Sequence, residues 1–477
     1  MKKNTGEIMA STATMDGVRG ASFARFTGLL AAVLALMAVA PAAAQEPDDT
    51  ELPKGVQLKL VYEAQYQPRV AVQPFAGADQ RVAEEVHRIL QRDLDYSDRF
   101  DMVARVPEGL REGADYSAWN DLDVVYLVAG GLEPADAASG DAGHRLRLTL
   151  HDVVYGSVQE IRQFSLPPMS DPGFRMAVHA AADEVVRWIT GEPGIAATRI
   201  VLTRRLSNGQ YELLVVDSDG ENLTRLHTEE MIYSPTWSPD GRRVAYNQAD
   251  TTGHERIVER TLATGGTRVI TEQGTPAQTP AYSPDGRTMA FSLWLDRGME
   301  IHQYDLANNC CMRRLSQQSR IDQNPSFSPD GSRIAFHSDR LGNPHIWTMR
   351  ADGGDAILIT PFESGTSGFY FGPEWSPRNS QLVFTGRSRG VNQVMYADAS
   401  RPGGPVQQIT SAGRSEDPSW APDGRHIVFS GVRDDGMGLY VIDLVTGRIR
   451  SLVTGGRYRM PDWSPSLLQA SALTAMP

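Results

Sequence analysis

The segment Gly386-Arg-Ser-Arg-Gly390 has the Gly-x-Ser-x-Gly spacing of a serine nucleophile. Such a serine becomes reactive when a sharp turn from a strand into a helix exposes its hydroxyl. Here strand-like segments lie on both sides of the motif, and the one that follows is Val391-Asn-Gln-Val-Met-Tyr396. We therefore predict a hairpin loop at this place and assign Ser388 no catalytic role.

The ten histidines show no spacing that is typical of a metal site. No two of them stand four residues apart, as they would in a zinc-binding helix. We interpret His337 and His345 as strand-face or loop residues of one repeat. Two acidic pairs offer oxygens to calcium, but Asp-Gly turns at strand ends explain them: Asp217 with Asp219, and Asp434 with Asp435. We predict neither a metal nor another cofactor, and the lack of a convergent acid/base set favours binding over catalysis.

The chain has two cysteines, Cys310 and Cys311, and they are adjacent. An oxidising compartment would allow them to pair, but a disulfide between neighbours is strained. We favour two thiols, or a small ring without function, and the sequence leaves the pairing open. Two cysteines alone do not make a metal site.

A stronger candidate for function is a set of polar and aromatic pairs, each a few residues before an aromatic residue of a repeated motif. The pairs are Ile232/Tyr233, Gln278/Thr279, Gln323/Asn324, Tyr370/Phe371, Glu416/Asp417 and Arg459/Met460. If the strands that follow are innermost, the pairs share one rim of a central channel and can bind a protein or a small ligand. The predicted partner-binding residues are Tyr233, Gln278, Thr279, Gln323, Asn324, Phe371, Glu416, Asp417 and Arg459. The alternative, that these are only solvated loops, fits the sequence equally well.

These pairs are positioned by a repeat in which Ser-Pro-Asp-Gly follows an aromatic residue. The leading aromatics are Trp237, Tyr282, Phe327, Trp375, Trp420 and Trp463, so the steps are 45, 45, 48, 45 and 43 residues. Pro, Asp and Gly are turn residues, and the fourth copy replaces Asp-Gly by Arg378-Asn379. Each turn is followed by an apolar strand, further strands and a short last strand that ends in Thr. Four strands with a period near 45 residues are typical of one propeller blade.

Incomplete units at the two ends of the array complement each other. The strands Arg199–Thr203, Tyr211–Val216 and Leu223–Leu226 lack a motif strand, whereas the motif at Trp463 has only a first strand. Joining them gives a sixth blade, and closure removes the open edges of the array. We predict an all-β six-bladed β-propeller over residues 193–477, closed by pairing of its N-terminal and C-terminal strands.

Residues 55–192 predict a separate α/β domain before the propeller. Its predicted strands are Gln57–Tyr62, Arg69–Phe75, Phe100–Val106, Asp123–Ala129, and a hairpin of Arg145–Val154 with Ser157–Phe164. Asp79 is predicted to cap a first helix, and Tyr116–Leu122 is a short second one. Asp171-Pro172 is predicted to begin a last helix that ends at Gly191.

The N-terminus predicts export. A basic region is followed by the apolar run Gly28–Ala40 and by small residues at 42–44, so residues 1–44 read as a signal peptide. The run is shorter than the ~20 residues of a membrane-spanning helix. Residues 45–54 are predicted to be a mobile acidic tail. Translation could also begin at Met9 or Met15, and the formal charge of −12 disfavours nucleic acid as a partner.

Three local segments add to the order of signal peptide, α/β domain and six-bladed propeller. They are Ala118-Trp-Asn-Asp-Leu-Asp-Val-Val-Tyr-Leu-Val-Ala-Gly130; His179-Ala-Ala-Ala-Asp-Glu-Val185 with Ile189-Thr-Gly191 and Thr198-Arg-Ile200; and Pro461-Asp-Trp-Ser-Pro465. In these segments and in its repeats the chain resembles the TolB family, the periplasmic component of the Tol–Pal system.

The resemblance implies a monomeric, non-enzymatic periplasmic scaffold that supports outer-membrane integrity and constriction during cell division. It implies that the channel mouth binds the peptidoglycan-associated lipoprotein Pal, chiefly through Gln278, Thr279, Gln323 and Asn324. It also implies that the N-terminal tail binds the inner-membrane protein TolA. The alternative is an exported propeller that hydrolyses a substrate or binds a sugar or another small ligand, and an ion or ligand in the channel stays an open question.

Overall fold

The computed structural model describes residues 56–57, 66–77, 79–135, 143–229, 231–249, 255–271, 276–295, 298–317, 320–362 and 368–467. The predicted signal peptide (1–44) and tail (45–54) lie outside them. In the part of the chain that the structure describes, no helix has the length and apolar character needed to cross a membrane.

The first part of the fold is an α/β region in which a mixed sheet packs against two long helices. Its helices are α1 (Gln80–Tyr96), α2 (Tyr116–Asn120) and α3 (Phe174–Thr190), with a 3-10 turn at Glu108–Leu110. After β1 (Val56–Gln57), its strands are β2 (Arg69–Val72), β3 (Ala76–Gly77), β4 (Asp101–Met102), β5 (Tyr126–Pro134), β6 (His144–Asp152) and β7 (Ser157–Leu166). The order is β4-β2-β5-β6-β7, parallel up to β5 and antiparallel from β5 to β7.

Helix α1 forms where apolar residues recur every three to four positions, and these residues face the sheet. Val82, Val86 and Leu90 are buried there, in one core with α3. The predicted cap is confirmed, because the Asp79 carboxylate accepts hydrogen bonds from the amides of Arg81 and Val82. The cap satisfies two of the backbone amides that the start of a helix leaves free.

Two element boundaries in the α/β region differ from the prediction. Helix α3 begins at Phe174, and the Asp171 carboxylate instead accepts the amide of Gly173 in the turn before it. The helix ends at Gly191, as predicted, with a φ of 79°. The strand predicted over 100–106 is limited to β4, because only Arg69 and Val70 of β2 pair with it.

The rest of the described chain forms six four-stranded blades. Blade 1 has β11 (Met231–Trp237), β12 (Arg243–Ala249), β13 (Glu255–Thr261) and β14 (Thr267–Val269); blade 2 has β15 (Ala277–Tyr282), β16 (Thr288–Leu295), β17 (Gly298–Asp305) and β18 (Cys310–Arg314); blade 3 has β19 (Asp322–Phe327), β20 (Arg333–Ser338), β21 (His345–Arg350) and β22 (Ile357–Leu358). Blade 4 has β23 (Tyr370–Trp375), β24 (Gln381–Ser388), β25 (Val391–Asp398) and β26 (Val406–Gln408); blade 5 has β27 (Ser415–Trp420), β28 (His426–Arg433), β29 (Gly436–Asp443) and β30 (Ile449–Thr454); blade 6 has β31 (Arg457–Trp463), β8 (Arg199–Arg205), β9 (Tyr211–Asp217) and β10 (Thr224–Glu229).

Blade 6 closes the propeller by joining the two ends of the array. Strand β31 pairs antiparallel with β8, with Trp463 opposite Ile200 and Arg457 opposite Arg205. The first strands of successive blades contact one another in a closed ring, β11-β15-β19-β23-β27-β31. The predicted α/β region, six-bladed propeller and strand closure are therefore confirmed, and the motif strands are the innermost ones.

The short strand β1 pairs with the propeller and not with the sheet of the α/β region. Val56 and Gln57 lie parallel to Val406 and Gln407 of β26, at the outer edge of blade 4. The rest of the strand predicted over 57–62 lies outside the described residues.

The Ser-Pro-Asp-Gly motif is a structural turn between the first two strands of a blade. The Ser328 hydroxyl donates to Asp330 at 2.6 Å, and the Gly331 amide donates to the Ser328 carbonyl at 2.8 Å. The hydrogen bond from Ser328 lowers the pKa of Asp330 to about 2. Gly331 has a φ of 70°, which glycine adopts without steric cost. Ser238 with Asp240 and Ser283 with Asp285 form the same hydrogen bond.

Two further sets of hydrogen bonds explain residues that recur in the repeat. In four places a side-chain oxygen of one first strand accepts the amide of the motif Trp in the next: Ser326 to Trp375 (2.9 Å), Glu374 to Trp420 (2.9 Å), Ser419 to Trp463 (3.0 Å) and Asp462 to Trp237 (2.6 Å). In three blades the Thr after the last strand accepts an amide of the third strand: Thr271 from Ile257 (3.0 Å), Thr360 from Ile346 (3.2 Å) and Thr410 from Val394 (3.0 Å). The first set joins neighbouring blades, and the second fixes the outer strand of a blade.

The α/β region contacts the turns at one end of blades 5 and 6. Arg448, in the turn after β29, pairs with Asp95 at 2.7 Å and with Asp98 at 3.1 Å. The guanidinium of Arg450 lies 4.2 Å from the ring centroid of Tyr96. The predicted binding residues lie at the opposite ends of the first strands, so these contacts leave them uncovered.

Candidate protein-binding site

The first strand of every blade carries a β-bulge directly before its proline, and the six bulges form a ring. At each bulge one residue has a positive φ: Ser234 (48°), Thr279 (52°), Asn324 (56°), Gly372 (62°), Asp417 (52°) and Met460 (51°). A positive φ is unfavourable for residues other than glycine. Bulges of this kind lie often beside functional sites, where they redirect side chains.

The bulges surround a cavity of about 330 Å³ that lies on the propeller axis. Every blade contributes the equivalent bulge residue and its proline to the wall, so the cavity is the central channel. The prolines are Pro235, Pro280, Pro325, Pro373, Pro418 and Pro461. Since proline fixes φ, the wall is stiff at all six positions.

The structure brings the nine predicted residues together in two adjoining places. Five of them line the channel: Thr279, Asn324, Phe371, Asp417 and Arg459. Tyr233, Gln278 and Arg459 line a neighbouring pocket. Gln323 and Glu416 stand next to these groups and hydrogen-bond or pair with them. Their use in partner binding stays a prediction.

Two of the predicted glutamines belong to one hydrogen-bonded row along the rim. The Gln323 amide donates to Gln278 Oε1 at 3.1 Å, and the Gln278 amide donates to Glu255 at 2.5 Å. The row links blades 3, 2 and 1. It orients two amides in advance of binding, which lowers the entropy lost when a partner uses them.

Arg459, Glu416 and Asp417 form a charged group at the junction of blades 5 and 6. Arg459 lies 2.5 Å from Glu416 and 2.6 Å from Asp417. Burial opposes ionisation of both partners, but their attraction outweighs it: the pKa of Arg459 is raised and that of Asp417 is lowered. Arg459 and Asp417 are therefore charged at neutral pH, and the group holds the two first strands together.

Two carboxyl groups inside the channel were not predicted. Glu374 and Asp462 follow the bulge prolines of blades 4 and 6 and line the cavity. Burial raises the pKa of both, and the charge of Asp462 raises that of Glu374 further. A search of the sequence for the residue after each proline of the repeat would have found them.

The other residues that the sequence singled out lie in structural positions. Ser388 ends β24, and Arg389-Gly390 turns the chain into β25, so the predicted hairpin is confirmed. The imidazoles of His337 and His345 are buried in strands, as interpreted from the sequence. Cys310 and Cys311 are joined by a disulfide at the edge of blade 2, which answers the question that the sequence left open. The positive φ of 66° at Cys311 is a backbone feature that the sequence does not reveal.

A buried histidine at the interface of the α/β region with blade 6 was also missed. His179 Nδ1 lies 2.6 Å from Asp93, while Nε2 stands 3.9 Å from Asp217 and 3.8 Å from Asp219. Burial lowers the pKa of His179, but Asp93 outweighs it and the pKa is raised. Arg175 pairs with Asp219, and so does Arg92. Because guanidinium groups already neutralise these carboxylates, we assign the cluster to the domain interface and not to a metal.

A second cluster of this kind joins the α/β region to blade 5. His426 lies between Asp423, 2.8 Å from Nδ1, and Asp98, 3.2 Å from Nε2. Arg425 pairs with Asp443 beside them. Burial opposes the charge on His426, but Asp423 and Asp98 outweigh it and raise its pKa to about 9. A charged imidazole therefore bridges the two parts of the protein.

Two family models match the two parts of the chain. The model described as the TolB amino-terminal domain matches residues 56–158, and the one described as the TolB beta propeller domain matches residues 186–467. The chain belongs to the TolB family. Its family is therefore the one that the order of parts and the repeats predicted.

Relatives and a solved structure agree with this family. The Tol-Pal system protein TolB of Thioalkalivibrio sulfidiphilus is 30% identical over 256 residues, which cover 52% of this chain and 55% of that protein. The Methylococcus capsulatus protein of the same name is 33% identical over 211 residues, or 43% and 47% of the two chains. The chain thus matches about half the length of these relatives. The crystal structure of TolB from Acinetobacter baumannii has a TM-score of 0.73 and 26% identity, and covers 84% of this chain and 97% of that one.

Proposed function

We propose that this protein is a non-enzymatic scaffold of the Tol–Pal system and that its channel mouth binds a Pal-like peptidoglycan-associated lipoprotein. The observation that carries the proposal is the gathering of nine predicted residues from all six blades at one end of the channel. That end lies opposite the turns that contact the α/β region. Membership of the TolB family supports the proposal, and curated relatives are named as Tol-Pal system proteins.

The composition of the mouth suits a protein partner. Phe371, Tyr233 and Arg459 are of the residue types that are enriched at interface centres. Gln278, with Gln323 hydrogen-bonded to it, gives a polar rim. A bulged and proline-bound wall changes little on binding, so a partner pays little to order it.

The place of this scaffold is the periplasm. The predicted signal peptide, residues 1–44, and the family both support export, and the predicted tail, residues 45–54, is the segment for a TolA-like partner. Together the two contacts would link inner-membrane and outer-membrane components during cell constriction and so support outer-membrane integrity.

Titration calorimetry with purified proteins tests the lipoprotein contact. The mature chain, residues 45–477, is titrated with the soluble domain of the Pal-like lipoprotein of the same organism. Gln278→Ala with Gln323→Ala should weaken binding by about tenfold or more, because two amides that are already oriented by one hydrogen-bonded row would no longer bond to the partner. Gln80→Ala with Gln163→Ala, on the exposed surface of the α/β region, is the matched control and should bind like the wild type.

Failure of the wild-type protein to bind the lipoprotein domain would overturn the proposal. Equal affinities for the two double variants would move the contact away from the channel mouth. The same titration with the soluble domain of a TolA-like protein, with and without residues 45–54, tests the second partner.

A further inference from the structure

A second pocket lies beside the channel, where β31 and β8 join the two ends of the propeller. We call it the seam pocket. Its volume is about 500 Å³, and four arginines lie in its wall: Arg205, Arg414, Arg457 and Arg459. Two tyrosines and three methionines supply apolar surface: Tyr211, Tyr233, Met231, Met437 and Met460. Arginine, tyrosine and methionine are all enriched at protein interfaces.

Two of the arginines stand directly opposite each other across the seam. Arg457 of β31 is the register partner of Arg205 of β8. Directly opposite residues in an antiparallel pair project to the same face of the sheet, and like charges there are destabilising. The pair therefore costs stability at the one strand pairing that closes the propeller.

The structure does not compensate this cost with a carboxylate. Both arginines are exposed, and among the described residues neither Arg205 nor Arg457 makes an ion pair. The guanidinium of Arg205 lies against the ring of Tyr211, 5.8 Å from its centroid. The neighbouring Arg459 and Arg414, by contrast, both pair with Glu416. Two adjacent unpaired cations in a chain of formal charge −12 are a local site for an anion.

The seam pocket also has adaptable apolar surface. The buried hydroxyl of Tyr233 interacts with Glu255 and Gln278, which line the same wall. Met231, Met437 and Met460 are flexible apolar side chains that can fit differently shaped groups. A small inorganic anion would use only the two guanidiniums, whereas a peptide would use the whole wall.

We propose that the seam pocket binds an acidic, partly apolar segment of a partner polypeptide. One aspartate or glutamate side chain of the partner lies between Arg205 and Arg457, which suit carboxylates because guanidinium groups donate in pairs. An adjacent apolar side chain of the partner packs on the methionines and Tyr211. The proposal rests on the proposed function, because Tyr233, Gln278 and Arg459 belong to both the rim and this pocket.

The first experiment compares three forms of the mature chain against the soluble domain of the Pal-like lipoprotein by calorimetry at low and physiological salt. The forms are the wild type, Arg205→Gln with Arg457→Gln, and the matched control Arg225→Gln with Arg287→Gln. Both double variants remove two exposed positive charges, but Arg225 and Arg287 lie outside the pocket. We expect the pocket variant to bind about tenfold more weakly or worse, with a smaller salt dependence, and the control to stay within about twofold of the wild type.

A second experiment does not depend on the lipoprotein. The wild type and both variants are titrated with the peptide acetyl-Leu-Glu-Phe-Glu-Leu-amide and with its counterpart in which both Glu are Gln. We expect the wild type and the control to prefer the acidic peptide by about tenfold, and the pocket variant to lose the preference. Inorganic phosphate at the same concentration should not displace the acidic peptide from the wild type.

The outcomes separate the two proposals. If the lipoprotein binds and the pocket variant matches the control in both titrations, the seam pocket proposal is wrong and the proposed function stands. If the lipoprotein fails to bind the wild type, the proposed function is wrong, and the peptide preference alone then decides for or against the pocket. Complete displacement by phosphate would reduce the site to an anion site and overturn the peptide proposal. Circular dichroism of the pocket variant verifies that the seam still closes.

Discussion

At the scale of single residues, the side chains that directly follow the bulge prolines join neighbouring blades around the channel. Glu374 and Asp462 take the same place in their blades as Ser326 and Ser419, and each accepts the amide of a motif Trp in the next blade. A carboxylate does this at a cost that a serine avoids, because burial disfavours its charge. The two carboxyls therefore weaken the fold as pH rises.

Replacing Glu374 by Gln should reduce the loss of folding stability as pH rises. The Gln oxygen can still accept from Trp420 and Ser419, but it carries no charge. The folded-state pKa of Glu374 is raised well above 4.5, so the wild type loses stability as pH rises above that value. The variant keeps Asp462, whose burial also raises its pKa, and should therefore lose less stability than the wild type. Thermal unfolding of both proteins from pH 4.5 to pH 8 should show a gap in favour of the variant that widens with pH. Glu160→Gln, at an exposed position of β7, is the control, and a constant gap would contradict the account.

At the scale of elements, the sequence predicts the blades better than the α/β region, for a physical reason. A blade is fixed by local turn chemistry, an apolar strand and a regular spacing, and all three can be read from residues such as those around Tyr282. The start of α3 could not be predicted in the same way, because Asp171 can serve a cap or a preceding turn equally well. The short β4 is limited by a partner strand that no local pattern reveals.

The hydrogen bonds between first strands give a prediction for the elements. Ser419→Ala removes the acceptor for the amide of Trp463 and so leaves a buried donor unpaired between blades 5 and 6. Loss of such a partner costs about 1–3 kcal/mol. Urea unfolding should show this loss of unfolding free energy, whereas Ser207→Ala, in the exposed turn between β8 and β9, should change it by no more than about 0.5 kcal/mol. Equal values for the two variants would show that the bond does not contribute to the junction.

At the scale of the whole molecule, the sequence predicts the two parts but not how they contact. His179, Asp98 and His426 stand far apart in the chain and match no motif, so their clusters appear only when α1, α3 and the turns of blades 5 and 6 are brought together. The sequence does not predict the contact between the seam arginines either, because Arg205 and Arg457 become neighbours only through closure of the propeller. Sequence spacing finds repeats and local turns, whereas contacts across the chain need the fold.

The bridging imidazole of His426 makes the contact between the two parts dependent on pH. Its folded-state pKa is raised to about 9 from an ordinary 6.5. A raised pKa means that the stabilisation is fully present below about pH 6.5 and is lost as pH rises to about 9. At about 1.4 kcal/mol per unit, the loss reaches about 3 kcal/mol. Urea unfolding of the wild type between pH 6 and pH 9.5 should show this decline. His426→Gln should be less stable at pH 6 and should lose about 3 kcal/mol less than the wild type across the window, since His179 and the channel carboxyls still titrate in it. The control is His144→Gln in β6, away from the interface, and it should follow the wild type. A stability curve of His426→Gln that runs parallel to that of the wild type would disprove the bridge.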